Sequence, residues 1–351
     1  MNTENNQIAI ICITENGKNL ALKLQSELKE GRIYFVKKNG ENSSENVIVV
    51  REKLKEFIPT IFNKYRYIVF IMATGIVIRT IAPLIQSKFD DPAIIVTDER
   101  GTNVISLLSG HIGGANEMTL YISNLIGSNP VITTATDVNN KSSLDIMAKK
   151  LDGYIENFRD NVLKVNSMLV NNDPVGLFLD GDYDVDTRGF KLVKQDELED
   201  LETVVVVSHK ENINSQNIIK LVPKDIVIGV GCKRNIDSIH MQNSLKEFLH
   251  TNNIDINAIK AIGSIEIKKD EQAIIDLAKY LNVPFKTFTV EEISQVDYLY
   301  SKSEWVKQNV GVYSVAEPSA HLLSEGNMII EKQKYTGITF SAGRVIKWYT
   351  L

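Results

Sequence analysis

The sequence is poor in the features that assign a chain quickly to a class. It holds two cysteines in 351 residues, Cys12 and Cys232, and no C-x-x-C pair, which excludes a disulfide framework and argues against a zinc site. Its longest uncharged and mostly apolar run, residues 67–78, is shorter than the ~18 residues that a transmembrane helix needs. The first residues, MNTENNQ, lack the basic start of a signal peptide. We therefore expect a cytoplasmic protein with no membrane span.

An excess of positive charge is also missing. The net charge of the chain is −5, and residues 1–150, 151–222 and 223–351 carry net charges of +2, −7 and 0. A nucleic-acid-binding surface needs a basic excess, so we expect no nucleic-acid partner. The chain is 43% hydrophobic and 24% charged, as in ordinary globular proteins. The acidic excess therefore singles out the middle segment alone.

Short apolar runs alternate with amphipathic patterns over the first 136 residues. Runs at 8–13, 67–72 and 93–97 predict buried strands. Such an alternation is typical of a mainly parallel sheet with helices on both faces. The pattern resumes after the acidic stretch. We predict an α/β fold in which two mainly parallel α/β domains, 1–136 and 223–351, flank a small α+β domain at 137–222.

The stretch SGHIGGAN carries most of the predicted chemistry. Its glycines allow a tight turn and a close approach of the backbone to a ligand, and the helix predicted after it offers N–H groups to an anion. His111 and Glu117 lie near this helix start and could form a general base with its orienting carboxylate. A plain strand-to-helix turn with a surface histidine explains the same residues equally well. The spacing is not G-x-G-x-x-G, which disfavours dinucleotide binding.

Polar residues at other predicted strand ends are further candidates, because ligands bind at the carboxyl ends of parallel strands. VTDERG offers Asp98 as a base and Arg100 as a clamp for a carboxylate, although a solvated turn is the favoured interpretation. MATGIVIR and TTATD add Thr74, Gly75, Arg79, Thr134 and Asp137. Helix capping is the better interpretation for Thr74 and Asp137.

The turn GVGCKRN begins like a dinucleotide-binding fingerprint, but Arg234 stands where the third glycine belongs. The basic turn could still hold a carboxylate or a phosphate. Cys232 is interpreted as a small buried residue at a strand end rather than a nucleophile. The aspartates of DGDYDVD lack the glycine and the glutamate of a calcium loop, and the histidine spacing predicts no metal site.

Several of these motifs together resemble one family. VTDERGTNVISLLSGHIGGANEM, followed by PVITTATD, resembles the N-terminal domain of cobalt-precorrin-5A hydrolases, which are enzymes of anaerobic cobalamin (vitamin B12) biosynthesis. MATGIVIRTIAP is similar to the same domain. IVIGVGCKRN, SIEIKKDE and VYSVAEPSA resemble the C-terminal domain of the family, and the acidic segment resembles its variable middle domain. The resemblance covers about residues 50–347.

The resemblance implies a hydrolase without an organic cofactor. Its substrate would be a cobalt-containing macrocycle that carries a δ-lactone. Opening of the lactone and release of acetaldehyde would give cobalt-precorrin-5B. The cobalt would belong to this small-molecule substrate, so no metal site of the protein is expected. Methyltransferases of the same pathway are candidate partners, and the oligomeric state is left open.

This chemistry needs a base for water, donors for an oxyanion and cations for the acetate and propionate side chains. We assign His111 as the general base, with Glu117 or Asp98 as its orienting group or as a second base. The N–H groups around Gly113, Gly114 and Ala115 are the expected oxyanion donors. The predicted substrate-binding residues are Thr74, Gly75, Arg79, Arg100, Gly113, Gly114, Asn116, Thr134, Asp137, Arg234 and Glu317.

Two interpretations of other classes stay open. A non-catalytic protein that binds or transfers a corrinoid intermediate would share the macrocycle site but need no base. An enzyme acting on nucleotide sugars or phosphate esters would use a similar α/β cleft, although the missing P-loop argues against it. For Glu317, a charge that favours the dipole at the start of a helix explains the residue at least as well as substrate binding.

Overall fold

The computed structural model describes residues 7–38, 46–87, 90–213, 215 and 217–346. The chain divides into two compact units, Met1–Asn140 and Lys141–Leu351. Among the described residues, no helix combines the length and the hydropathy that crossing a membrane requires.

Strands and helices alternate through the described part of the first unit. In chain order they are β1 (Ile8–Cys12), α1 (Glu15–Leu28), β2 (Arg32–Val36), β3 (Val47–Val50), α2 (Leu54–Ile61), β4 (Tyr67–Ile71), α3 (Thr74–Ile81), β5 (Ala93–Thr97), β6 (Asn103–Leu108), α4 (Ala115–Ile126), β7 (Asn129–Val131) and α5 (Ala135–Val138).

These strands form one sheet in the order β3-β2-β1-β4-β5-β6-β7. Alternate residues of β1 face opposite sides of the sheet. Ile8 and Ile10 pack with residues of α1 and α4, whereas Ala9 and Ile11 pack with residues of α2 and α3. Because both faces are covered, the central strands are apolar along their whole length, as the sequence predicted.

One pairing in this sheet runs against the others. β5 and β6 are antiparallel, with Ile94 opposite Leu108 and Thr97 opposite Val104, whereas β7 is parallel to β6. The turns after β4 and β5 therefore lie at one edge of the sheet, which we call the β5 edge (residues 72–76 and 98–102). The turns after β6 and β7 lie at the opposite edge, which we call the β6 edge (residues 109–114 and 132–137).

The described part of the second unit contains two further sheets. Its elements are α6 (Leu144–Lys150), β8 (Tyr154–Ile155), α7 (Phe158–Asn171), β9 (Gly176–Leu179), β10 (Lys191–Leu192), β11 (Val204–Val207), β12 (Ile218–Val222), β13 (Ile226–Cys232), α8 (Ser238–Thr251), β14 (Ile259–Ile265), α9 (Gln272–Leu281), β15 (Phe285–Phe288), α10 (Val290–Ser294), α11 (Glu304–Val310), α12 (Ala316–Ser324), β16 (Met328–Tyr335) and β17 (Ile338–Arg344).

The first of these sheets has the order β10-β9-β11-β12-β8, and all of its pairings are parallel except that of β8 with β12. The second has the order β15-β14-β13-β17-β16 and combines parallel pairings of β13, β14 and β15 with the antiparallel hairpin β16–β17. α12 lies directly on β13. The two backbones are so close at Gly229 that a Cβ atom there would overlap the carbonyl oxygen of Ala316.

The predicted α/β fold class is confirmed by this architecture. The middle sheet is more parallel than an α+β domain requires, since its strands β9 to β12 all run in one direction. Strands β3 and β6 of the first unit and strands β8, β10, β12 and β14 of the second are additions to the predicted set. The domain boundaries at 136/137 and 222/223 stay predictions.

Candidate functional site

The glycine-rich turn at the β6 edge is closed by its own backbone. The N–H of Gly114 donates to the carbonyl of His111 at 2.9 Å, and that of Ala115 donates to the carbonyl of Ser109 at 3.1 Å. Gly114 has a φ of 90°, which favours glycine, and a Cβ atom at Gly113 would overlap Ser109. The glycines therefore serve the tight turn, as predicted. The N–H groups of Gly114 and Ala115 are used within it, so they do not form the expected oxyanion hole.

His111 lies beside a carboxylate at this edge. Its Nε2 atom is 3.0 Å from Oδ2 of Asp137 and 2.8 Å from the hydroxyl of Thr136. The exposed fraction is 16% for the His111 side chain and 39% for that of Asp137. An ionised carboxylate can only accept hydrogen bonds. An ionised Asp137 therefore places the ring proton of His111 on Nε2.

A buried amide holds this carboxylate in place. Nδ2 of Asn116 donates to Oδ2 of Asp137 at 2.9 Å and to the hydroxyl of Thr134 at 3.0 Å, while its Oδ1 accepts from Ser106 at 2.6 Å. Asn116 is 7% exposed, so each of these bonds is formed with little competition from water. The network joins β6, α4 and α5 around His111.

The carboxylate beside His111 differs from the predicted ones. Glu117 is exposed on α4. It lies near Tyr67, whose phenol pKa is raised by burial and, in addition, by the charge of Glu117. Asp137 therefore occupies the position that the sequence assigned to Glu117. Thr136 is part of the TTATD motif but was not among the predicted substrate-binding residues. Ser106 was not predicted at all, because β6 gave no clear strand signal.

Asp98 lies at the β5 edge, away from His111. Its carboxylate accepts the N–H groups of Arg100 at 3.0 Å and Asn103 at 2.9 Å. Burial raises the pKa of this carboxyl, but hydrogen bonds from the backbone of Asn103, Thr102 and Arg100 outweigh it and hold the pKa below its usual value. β5 has five residues, and at about 3.3 Å per residue it separates the two edges by roughly 16 Å. Asp98 is thus a turn-forming residue that cannot orient His111.

The β5 edge contains a cavity of about 470 Å³, which Thr74 and Asp98 line together with apolar residues of β4, β5 and β6. Arg79 is exposed, and its Nη1 atom donates to the carbonyl of Gly75 at 3.0 Å. Arg100 is also exposed. This edge brings together five of the predicted substrate-binding and catalytic residues, but none of those that surround His111.

Both capping interpretations are wrong. Thr74 is the first residue of α3, and the N-cap position belongs to Ala73. Asp137 lies inside α5, whose N-cap position belongs to Thr134. Neither helix start has a side-chain cap, so the carboxylate of Asp137 is available to His111 and Asn116.

The second unit holds the remaining predicted residues. Arg234 is exposed in the turn after β13. Glu317 is 4% exposed and lines a cavity of about 430 Å³. It accepts hydrogen bonds from Lys332 at 3.1 Å and from Ser314 at 3.2 Å. Cys232 lines the same cavity, and burial raises the pKa of its thiol to about 11, which keeps it protonated and poorly nucleophilic near neutral pH.

The other histidines contact separate partners. Nε2 of His240 is 2.9 Å from the carbonyl of Thr336, and Nδ1 of His321 is 2.7 Å from the hydroxyl of Tyr300. In the part of the chain that the structure describes, no group of three or more His, Cys, Asp or Glu side chains is arranged to hold a metal ion.

Three family models together match most of the chain. They are described as cobalamin synthesis G N-terminal over residues 46–137, cobalamin biosynthesis central region over 142–223, and cobalamin synthesis G C-terminus over 226–343. A crystal structure of a cobalamin biosynthesis protein G homolog from Sulfolobus solfataricus is matched with a TM-score of 0.41 and 24% identity over 97% of this chain and 99% of that one. That likeness is too weak to support a structural argument.

Two curated relatives match from end to end. A cobalt-precorrin-5A hydrolase from Salmonella typhimurium is 38% identical over 96% of this chain and 97% of its own length. Another protein of that name, from Priestia megaterium, is 27% identical over 98% of this chain and 96% of its own length. With its motifs, its three matched regions and this level of identity, the chain belongs to the cobalt-precorrin-5A hydrolase family, also described as cobalamin synthesis G.

Proposed function

We propose that this protein hydrolyses the δ-lactone of cobalt-precorrin-5A and releases acetaldehyde, giving cobalt-precorrin-5B in cobalamin biosynthesis. The observation that carries the proposal is the 38% identity to the Salmonella typhimurium relative over 96% of this chain. The enzyme acts on a corrinoid small molecule whose cobalt is part of the substrate, and its reaction needs no organic cofactor. As a biosynthetic enzyme, it has the cytoplasm as its expected location.

His111 is the general base of the proposed reaction. The imidazole takes a proton from water, and the hydroxide adds to the lactone carbonyl. The ring C–O bond then breaks, and the alkoxide that leaves takes the proton back from the imidazolium. Asp137, at 3.0 Å from Nε2, favours the charged imidazolium and fixes the ring tautomer.

The same pair serves the second step. A base removes the proton from the freed hydroxyl, the adjacent carbon–carbon bond breaks in a retro-aldol sense, and acetaldehyde leaves. The electron pair passes into the conjugated macrocycle, which is later protonated. Asn116 is a positioning residue for this chemistry, because its amide bonds Asp137 at 2.9 Å.

The β6 edge is the best-supported place for the reacting lactone. It joins His111, Asp137, Thr134 and Asn116 in one hydrogen-bonded network. Because β5 separates the two edges by roughly 16 Å, Asp98 is not part of the proposed acid–base chemistry. The exposed arginines Arg79, Arg100 and Arg234 remain predicted clamps for the substrate carboxylates.

The test is anaerobic incubation of the protein with cobalt-precorrin-5A and an assay for acetaldehyde. We expect release by the wild type and a loss of about 10²–10⁴-fold in His111→Ala, which is the usual contribution of a positioned base. His250→Ala is the matched control, since that side chain is 75% exposed in the second unit. Tight binding of the intact substrate with no acetaldehyde would refute the hydrolase and favour the non-catalytic carrier.

A further inference from the structure

The second unit contains a cavity that the reaction above does not use. It measures about 430 Å³ and lies where β13 and β14 end, between α11, the start of α12 and the hairpin β16–β17. This volume falls within the range of about 300–1,000 Å³ that small-molecule sites occupy. The cavity is therefore large enough for a ligand or for one edge of a larger one.

The lining of this cavity is strongly cationic. Five lysines line it, against two glutamates, Glu317 and Glu331. Among the described residues, no carboxylate lies within salt-bridge distance of Lys233, Lys302 or Lys334, and all three lysines are exposed. Uncompensated cations around a concave surface attract anionic ligands.

One lysine of the cavity is fixed by buried groups. The ammonium of Lys332 donates to Glu317 at 3.1 Å and lies 3.4 Å from the hydroxyl of Ser314. Glu317 is 5% exposed at its side chain and Lys332 is 14% exposed. Because the start of α12 is held against Gly229 of β13, Glu317 keeps this ammonium at a defined place in the cavity wall.

Aromatic rings complete the lining. Trp305 of α11 is 63% exposed, and Tyr313 and Tyr335 line the cavity beside it. Lys302 lies 5.2 Å from the centre of the Tyr313 ring. Flat faces next to ammonium groups suit a planar conjugated ligand that carries carboxylates.

We propose that this cavity binds the carboxylate-bearing edge of a corrinoid, with Lys233, Lys332 and Lys334 on its carboxylates and Trp305 against its ring. The identity of the ligand rests on the proposed function. Glu317 is then a positioning residue for Lys332 rather than a direct substrate contact. The proposal concerns binding and assigns no chemical step to the cavity.

The binding test uses cobyrinic acid, a stable corrinoid with seven carboxyl groups, and its neutral heptamethyl ester. Titration calorimetry on the full chain compares wild type with the double variant Lys233→Gln/Lys334→Gln. The control is Lys286→Gln, which removes an exposed lysine of the same sheet outside the cavity. We expect the Kd for cobyrinic acid to rise roughly tenfold in the double variant and to stay unchanged in the control.

The dependence of Kd on ligand charge and on salt separates the loss of two lysine contacts from a structural effect of the substitutions. The wild type should bind the ester more weakly than the acid, and the double variant should show a smaller dependence of Kd on salt, because it has two fewer cations at the site. A Kd for cobyrinic acid within twofold of wild type in the double variant would overturn the proposal.

Turnover distinguishes this proposal from the proposed function. The titration with cobyrinic acid reports on the cavity alone, and the acetaldehyde assay on wild type reports on the hydrolase alone. Acetaldehyde release by wild type, together with an unchanged Kd for cobyrinic acid in the double variant, would refute the cavity and leave the hydrolase intact. Lysine-dependent binding of cobyrinic acid, without acetaldehyde release by wild type, would support the cavity and refute the hydrolase.

Discussion

Replacement of Asp137 by asparagine tests the mechanism most directly. The amide keeps the shape of the carboxylate, and its oxygen can still accept from His111 and Asn116, so we expect Asp137→Asn to fold. It removes the charge that stabilises the imidazolium and fixes its tautomer. Carboxylates in such a role contribute up to about 10⁴-fold, but this side chain is 39% exposed, and solvent screens part of its charge. We therefore expect kcat for acetaldehyde release to fall roughly 10- to 100-fold.

The control for this change is Glu117→Gln, which neutralises the exposed carboxylate of α4. This substitution should leave kcat near the wild-type value, although the sequence favours Glu117 as the partner of His111. The double variant His111→Ala/Asp137→Asn should be no slower than His111→Ala alone, because Asp137 acts through the imidazole. Wild-type turnover in folded Asp137→Asn, or further loss in the double variant, would refute the pairing.

Three further expectations concern stability and reactivity. Gly229→Ala should destabilise the protein by about 1–3 kcal/mol or more in urea unfolding, because its Cβ would overlap the backbone of Ala316; a change below 0.5 kcal/mol would contradict this packing. Cys12 should react slowly with a disulfide reagent until the protein is unfolded, because it is buried and burial raises its pKa to about 12; fast native labelling would contradict this burial. Cys232 is only half-buried, but its raised pKa of about 11 should also slow its reaction near neutral pH. Asp98→Asn should lower Tm at neutral pH. The difference in Tm from wild type should vanish as the pH falls below about 3.9, because a carboxyl group with a lowered pKa stabilises the fold only while it is ionised. A Tm difference that does not depend on pH would exclude the charge as its cause.

The sequence predicts the fold class because strands that are buried on both faces of a sheet consist of apolar residues in an unbroken run. β1 and β5 are buried at every position, and their boundaries follow from the sequence alone. β6 is different, since only Val104 of its six residues is buried. Ser106 interrupts the apolar residues of this strand, so the sequence shows a turn at 98–101 without showing that the chain reverses there. The apolar residues on both sides of that turn are the signal that could have indicated a hairpin.

The candidate site is predictable in part for the same reason. His111, Asn116, Thr134 and Asp137 stand out as polar residues beside a glycine-rich turn, and the structure joins them in one network. Their pairing is not predictable, because the partner of His111 lies 26 positions away in sequence whereas Glu117 lies only six away. Proximity along the chain favoured Glu117, whereas the direction of β6 brings His111 beside Asp137.

The reversal between β5 and β6 also determines how substitutions should combine. The polar turns at the two edges of this sheet lie roughly 16 Å apart, and sites separated by more than about 7–10 Å without shared partners usually have additive effects. Arg100 and Asp137 form such a pair, whereas Asn116 and Asp137, which share a hydrogen bond, do not. Substitutions in the loops at the β5 edge should therefore leave the hydrogen-bonded network around His111 unchanged, so that the two edges can vary independently of each other.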